Sequence, residues 1–166
     1  MKIVSLEEAF IHELSDIYNA EKQLTKALPK LAKAATNPHL AEGFMSHLQE
    51  TQGQIERIEE LVASAGLTLK RIKCKAMEGL IEEGDEVVEK IEKGAVRDVM
   101  LIAGAQKVEH YEIASYGCLV ELAKKLGLKD GVRLLNETLK EEKSTDEKLN
   151  KIAISEVNDE ALQRAA

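Results

Sequence analysis

The chain has 166 residues, enough for one sizeable core and too few for two ordinary domains. Apolar residues make up 44% and charged residues 32%, with Gly (10) and Pro (2) scarce, which excludes a low-complexity or disordered chain. Aromatics are only 3%, with no Trp, so the core falls to Leu, Ile, Val and Ala, a set suited to helix bundles rather than sheets.

The net charge of −7 sets the mean field against nucleic acid and anionic membranes. The opening "MKIVSLEEAF" carries acids where a signal peptide needs an uninterrupted apolar run. No apolar run approaches the roughly 20 residues that span a bilayer. Cys74 and Cys118 belong to no C-x-x-C and read as reduced thiols. The expectation is a cytoplasmic protein. The basic run "KRIKCK" at 70–75 reads as a solvated connection.

Ser5-Leu-Glu-Glu8 is a capping box, and it predicts a first helix running to about residue 35. Its inner row is Phe10, Leu14, Ile17, Glu21, Leu24, Leu28 and Leu31, apolar except at Glu21. Pro29 predicts a kink or short break. Asn37-Pro38 supplies a cap and a first-turn proline for a second helix to about Ser64, with His47, Glu50 and Gln54 along one edge of its apolar stripe. Residues 65–95 form a long crossover in which "AMEGLIEEGDEVVEKIEK" reads as a shorter acidic helix. A third long helix covers about 96–126 and turns Ile102, Ala105, Glu109, Glu112, Tyr116, Leu119 and Ala123 inward. Gly127 ends it, and Asp130 is a candidate cap for a fourth helix to about Ser155, whose seam includes Leu135, Leu139, Glu142, Asp146 and Leu149. Residues 156–166 read as a loosely held tail behind a bundle of about 5–155, the whole chain forming one domain. Two hairpins joined by one long crossover predict an all-α fold, the ferritin-like four-helix bundle with an extra short helix in the crossover.

The acids recur at matching offsets. Glu50 follows Glu21 by 29 residues and Glu142 follows Glu112 by 30, so each hairpin brings two acids to one height. Glu109 and Asp146 lie one turn further along. A lone Glu in a helical seam is usually an edge residue whose stem packs while its head reaches water. Acids on all four helices at one level are another matter. Each unpaired buried ion costs several kcal/mol, with mutual repulsion added, and no Arg falls in any inner row. Two divalent cations would turn the repulsion into coordination. Hard carboxylate oxygens with an imidazole suit iron or manganese.

The stretches "LSDIYNAEKQLTKALPKLAKAA", "HLQETQGQIERIEELV", "KCKAMEGLIEE", "AQKVEHYEIASYG" and "LKEEKSTDEKL" resemble the bacterial stress-response proteins of the YciF/YciE type, a ferritin-like family. The likeness covers about residues 6–154 and implies a ferritin-like bundle paired as a homodimer. The ferritin-like pattern asks for a Glu on the first helix, met by Glu21. It admits Glu-x-x-Glu on the third, met by Glu109 and Glu112. Glu-x-x-His is asked of the second and fourth, where Gly53 follows Glu50 and Thr145 follows Glu142 in the histidine places. The expected metal ligands are therefore Glu21, Glu50, Glu109, Glu112, Glu142 and Asp146. His47, Gln54 and His110 are supporting groups or substitute ligands, and the tyrosines are packing residues. The expected function is a di-iron (or Mn/Fe) protein of stress response that oxidises Fe(II) or reduces O₂ or peroxide. The alternative is a non-catalytic dimeric scaffold with a vestigial acid layer. Two cysteines cannot make the Cys₄ iron centre of a true rubrerythrin.

Overall fold

In the computed structural model, which describes residues 2–163, the predicted helices form in order. They are α1 (Leu6–Ala34), α2 (Pro38–Ala65), α3 (Lys75–Lys90), α4 (Ala95–Lys125), α5 (Lys129–Ile152) and α6 (Asn158–Gln163), with a π-helical turn at Ala153–Val157 between the last two. No strand occurs among the described residues. The fold is the four-helix bundle expected, with α3 in the crossover packed on α1 and α4.

Local chemistry sets the helix ends. Ser5 Oγ accepts from Glu8 N at 3.1 Å, while Glu8 Oε2 reaches back to Val4 N at 2.8 Å. Asn37 Oδ1 accepts from Leu40 N at 3.0 Å ahead of Pro38. Gly66 (φ 65) and Gly127 (φ 72) take the left-handed conformation that L side chains avoid. At Gly127 this lets Leu128 N return to Ala123 O at 3.0 Å and Gly127 N to Lys124 O at 3.2 Å, the reciprocal pair that closes a helix end. Asp130 lies in the first turn of α5 rather than capping it, since the N-cap is Leu128. Its charge still favours that end of the helix. Helix α1 runs unbroken through Pro29. Of the tail expected over 156–166, residues 156–163 are helical with Val157 completely buried, and residues 164–166 lie outside the described residues.

One end of the bundle fixes the register between the two hairpins. Asp98, buried in the first turn of α4, accepts from Thr36 N at 2.8 Å and Asn37 N at 2.7 Å, in the α1–α2 turn. At the same turn Glu156 accepts from Asn37 Nδ2 at 2.9 Å and meets His39 Nδ1 at 2.9 Å. The start of α4 therefore sits beside the start of α2, and the two run parallel. At the opposite end a Cβ on Gly131 of α5 would lie 3.1 Å from Leu61 near the end of α2, so a larger side chain there would push the helices apart. The crossover is tied down as well: Ser15 Oγ accepts from Lys70 N at 3.0 Å, and Asn19 Oδ1 accepts from Cys74 N at 2.8 Å.

Asp98→Ala removes the buried acceptor of two backbone N–H groups at a part-buried turn. Hydrogen bonds to a charged acceptor contribute roughly 1.5–3 kcal/mol, and abandoned donors add desolvation. The expected loss is about 3 kcal/mol, read in urea unfolding as a lower midpoint at unchanged slope, or as a melting temperature lower by about 6–12 °C.

Candidate metal centre

Counted from that pinned end, Glu21 on α1, Glu50 on α2, Glu112 on α4 and Glu142 on α5 lie 13 to 15 residues into their helices from Thr36, Asn37, Asp98 and Glu156. At 1.5 Å per residue that is one level, about 20 Å deep. His47 and Glu109 sit one turn nearer the pinned end and meet each other, with Nε2 to Oε1 at 3.3 Å. His47 Nε2 also lies 3.8 Å from Glu142 Oε2 and 4.0 Å from Glu112 Oε2. Ligating atoms of His47, Glu109, Glu112 and Glu142 all come within 4.8 Å of one another, and all four residues are buried.

Glu21 joins this group from α1. It is fully buried, accepts a hydrogen bond from Tyr116 Oη and shares one with the Glu112 carboxyl. Glu109 and Glu142 share another. Apart from those shared protons, both oxygens of Glu112 and of Glu142 lack a donor, as does one each of Glu21 and Glu109. Burial first, and then the Glu142 charge, pushes Glu21, Glu109 and Glu112 well above the ordinary carboxyl range. Burial raises Glu142 too, with His47 pulling it back. Tyr116 is held in its neutral phenol form by burial and by the Glu21 charge beside it.

Glu50 behaves differently. It is 26% exposed, faces His47 Nδ1 at 3.4 Å, accepts from Thr145 Oγ1 at 3.1 Å and lies 3.6 Å from Lys148 Nζ. The His47 contact leads in holding its carboxyl below the usual range. With His47 Nδ1 donating to Glu50, the Nε2 lone pair is left facing the acids, the carboxylate–histidine arrangement common behind metal-bound imidazoles. Asp146 turns away from the buried group, with Oδ1 accepting from Gln106 Nε2 at 3.2 Å and Oδ2 3.2 Å from His110 Nε2. His110 is 69% exposed, not in the core; it stands about 100° around the helix from Glu109, which carries it to the rim. Gln54 is buried and donates to Glu141 Oε2 at 3.1 Å.

Some of these roles escape a reading of helical rows. Helical rows make Tyr116 a packing residue, yet its hydroxyl donates to Glu21; its place one turn after Glu112 on the same stripe is the available signal. Arg57 lies outside every inner row but crosses from α2 to α5, pairing with Glu141 and donating to Thr138 Oγ1 at 3.0 Å. No spacing rule predicts that reach.

The donor set fits a metal. Carboxylate oxygens and one imidazole nitrogen converge, and their buried lone pairs lack other partners. Such atoms are the expected mark of hard or borderline cation ligands. Without a cation, the same groups hold protons more tightly folded than unfolded. A carboxyl with a raised folded value is penalised as pH climbs past the ordinary Glu value near 4.3, until the folded value is passed. In metal-stripped protein, Glu112→Gln should therefore raise the melting temperature by several degrees at pH 8 and by less at pH 5, corresponding to about 1–3 kcal/mol of relieved burial. Circular dichroism melts at both pH values test this. An equal shift at both would rule out the acid layer as the source.

The chain's likeness to known proteins follows this geometry. The domain of unknown function DUF892 matches residues 5–162. Protein YciF of Escherichia coli K12 is 58% identical over 166 residues, 99% of this chain and all of that one. The crystal structure of the E. coli stress protein YciF superposes with a TM-score of 0.91 at 59% identity, over 94% of this chain and 99% of that one. YcfI, described as a putative structural protein from Rhodopseudomonas palustris, gives 0.86 at 47% identity, over 90% of this chain and 95% of that one. A Xanthomonas campestris protein, 18% identical with a TM-score of 0.75 and covering 98% of this chain and all of that one, shares the fold. The chain belongs to the DUF892 family.

Proposed function

We propose that the protein is a ferritin-like di-metal carboxylate protein of bacterial stress response that oxidises Fe(II) or reduces O₂ or peroxide. The observation that carries this reading is the buried set of carboxylate oxygens and His47 Nε2 with no donors but one another. Glu21, Glu109, Glu112, Glu142 and His47 would hold two iron ions, or manganese in their place, with Glu112 and Glu142 central. Bound there, a pair of such ions supplies one-electron chemistry toward oxygen or peroxide.

The chain's own residues set the conditions. Glu50 orients the His47 ring, and the rim groups Asp146 and His110 present a carboxylate and an imidazole to solvent beside the centre. Tyr116 holds one Glu21 oxygen and leaves the other free. Arg57 and Glu141 fix the Gln54 amide beside the layer. The apolar helices above and below exclude water, which strengthens each charge interaction within.

The stress role rests on the E. coli relative described as a stress protein. The free thiols of Cys74 and Cys118 suit a reducing cytoplasm. Exposed Val96 at the start of α4 suits pairing as a homodimer. A non-catalytic scaffold would give no reason for so many buried oxygens without donors.

Anaerobic Fe(II) titration of chelator-stripped protein should saturate near two per chain, and air should then bring up an Fe(III) absorption band. His47→Ala should lower the Fe(II) affinity, and Glu142→Ala should abolish the band. A flat titration with both Fe(II) and Mn(II) would leave the scaffold role standing instead.

A further inference from the structure

Three hollows lie next to one another and share wall residues. An inner cavity of about 50 Å³ has His47 and Glu109 in its wall, so it opens directly on the metal-binding groups. Leu24, Leu31, Ala105 and Val108 line both this cavity and a second one of about 30 Å³. Gly84, Met100 and Gly104 line the second cavity and also a surface groove of about 400 Å³ between α3 and α4. At its other end the inner cavity reaches Gly43 and Ser46 on α2 and touches the rim at Glu50, Thr145 and Lys148.

The openings are made by glycines. A Cβ on Gly104 or Gly43 would meet nothing within 4 Å, so each faces open space. Glycine in a helix interior weakens the helix, and neither position needs a positive φ. At each position the open space leaves room for a larger side chain to fill the cavity.

We propose that these cavities form a largely apolar passage carrying dioxygen from the α3–α4 groove to the His47–Glu109 side of the centre, where the inner cavity also meets the rim at Glu50. The inference rests on the metal-centre reading and names its oxidant. Each cavity exceeds the roughly 10–15 Å³ that one small molecule requires, and apolar hollows of this kind stay dry and admit apolar guests. Dioxygen has no hydrogen bonds to give up on entering. Hydrogen peroxide does, and the Leu, Ile, Val and Ala wall of the second cavity does not replace them, whereas the polar edge of the inner cavity at Ser46, Glu50, Thr145 and Lys148 does. The balance at the centre is simple: two Fe(II) ions give up two electrons, and dioxygen takes them with two protons and leaves as hydrogen peroxide. With peroxide as oxidant, the same two electrons and two protons yield two water molecules.

Xenon serves as the binding probe. Xenon-pressurised crystals of the wild-type protein should show the gas beside Val108 in both cavities. The double variant Gly43→Leu/Gly104→Leu should lose it while keeping the wild-type anaerobic Fe(II) stoichiometry. Its dioxygen uptake during Fe(II) oxidation should fall at least tenfold, and its rate with added peroxide should hold. Gly104→Ala, which leaves the opening wide and stiffens the helix, should behave as wild type and controls for folding. Absence of xenon from the wild-type cavities, undiminished dioxygen uptake in the double variant, or an equal loss with peroxide would overturn the passage. Failure of wild-type protein to bind Fe(II) would instead overturn the metal centre, with the xenon result still deciding what the cavities admit.

Discussion

The constraint on which the rest depends is that four acids can share a bundle interior only within a turn of one level. Spread along the seam, each would be a separate buried charge costing several kcal/mol. Gathered, they share protons in pairs, as Glu21 with Glu112 and Glu109 with Glu142, or they share cations. Sliding one hairpin by a single turn would move its acids about 5.4 Å out of register with the others. The Asp98 carboxylate, bound to two backbone N–H groups of the α1–α2 turn, opposes that slide. Glu156 engages the same turn from the far end of α5, so all four long helices are referred to one point.

This arrangement sets local stability against poise. The carboxyl layer weakens the metal-free fold, and the apolar rows on either side offset it. Those rows are Leu, Ile and Ala with few aromatics, side chains that pack at close helix spacing. Polar contacts around the layer serve geometry. Arg57 and Glu141 are only partly buried, so their pairing contributes little net stability, but it fixes Gln54 and Thr138 beside the acids.

Much of the fold was legible because its signals are local. The Ser5–Glu8 box, Asn37-Pro38, Gly66 and Gly127 each act within a turn of where they stand, and the ends they predict appear in the structure within a residue or two. Glu21, Glu109, Glu112 and Glu142 were legible because an acid replacing Leu in an apolar row has one direction in which to point. Edge residues were harder. Periodicity gives the sector a side chain occupies, but for a residue on a sector boundary the rotamer and the neighbouring helix decide the rest. Glu50 and His47 share such an edge. Spacing makes Glu50 a ligand and His47 a supporting group or substitute ligand, and the structure buries the imidazole and leaves Glu50 behind it at the rim. Arg57 and Tyr116 escaped for the same reason, since their contacts lie on other helices.

The exchange between His47 and Glu50 explains how a chain lacking both expected histidines still presents an imidazole. On α2 the ferritin-like order Glu-x-x-His is reversed to His47-x-x-Glu50. Helical neighbours at i−3 and i+3 share a face, so reversal keeps imidazole and carboxylate together. It displaces the imidazole by six residues, about 9 Å along the axis, toward the pinned end. There it meets Glu109, the acid that stands one turn above Glu112 on α4, at 3.3 Å. A Glu-x-x-Glu pair on α4 and a reversed pair on α2 are thus complementary: the extra acid occupies the level to which the imidazole has moved. α5 has no such compensation. Thr145 fills the histidine place there and uses its hydroxyl to hold Glu50. The centre is therefore asymmetric, with its one imidazole on the side where the inner apolar cavity arrives.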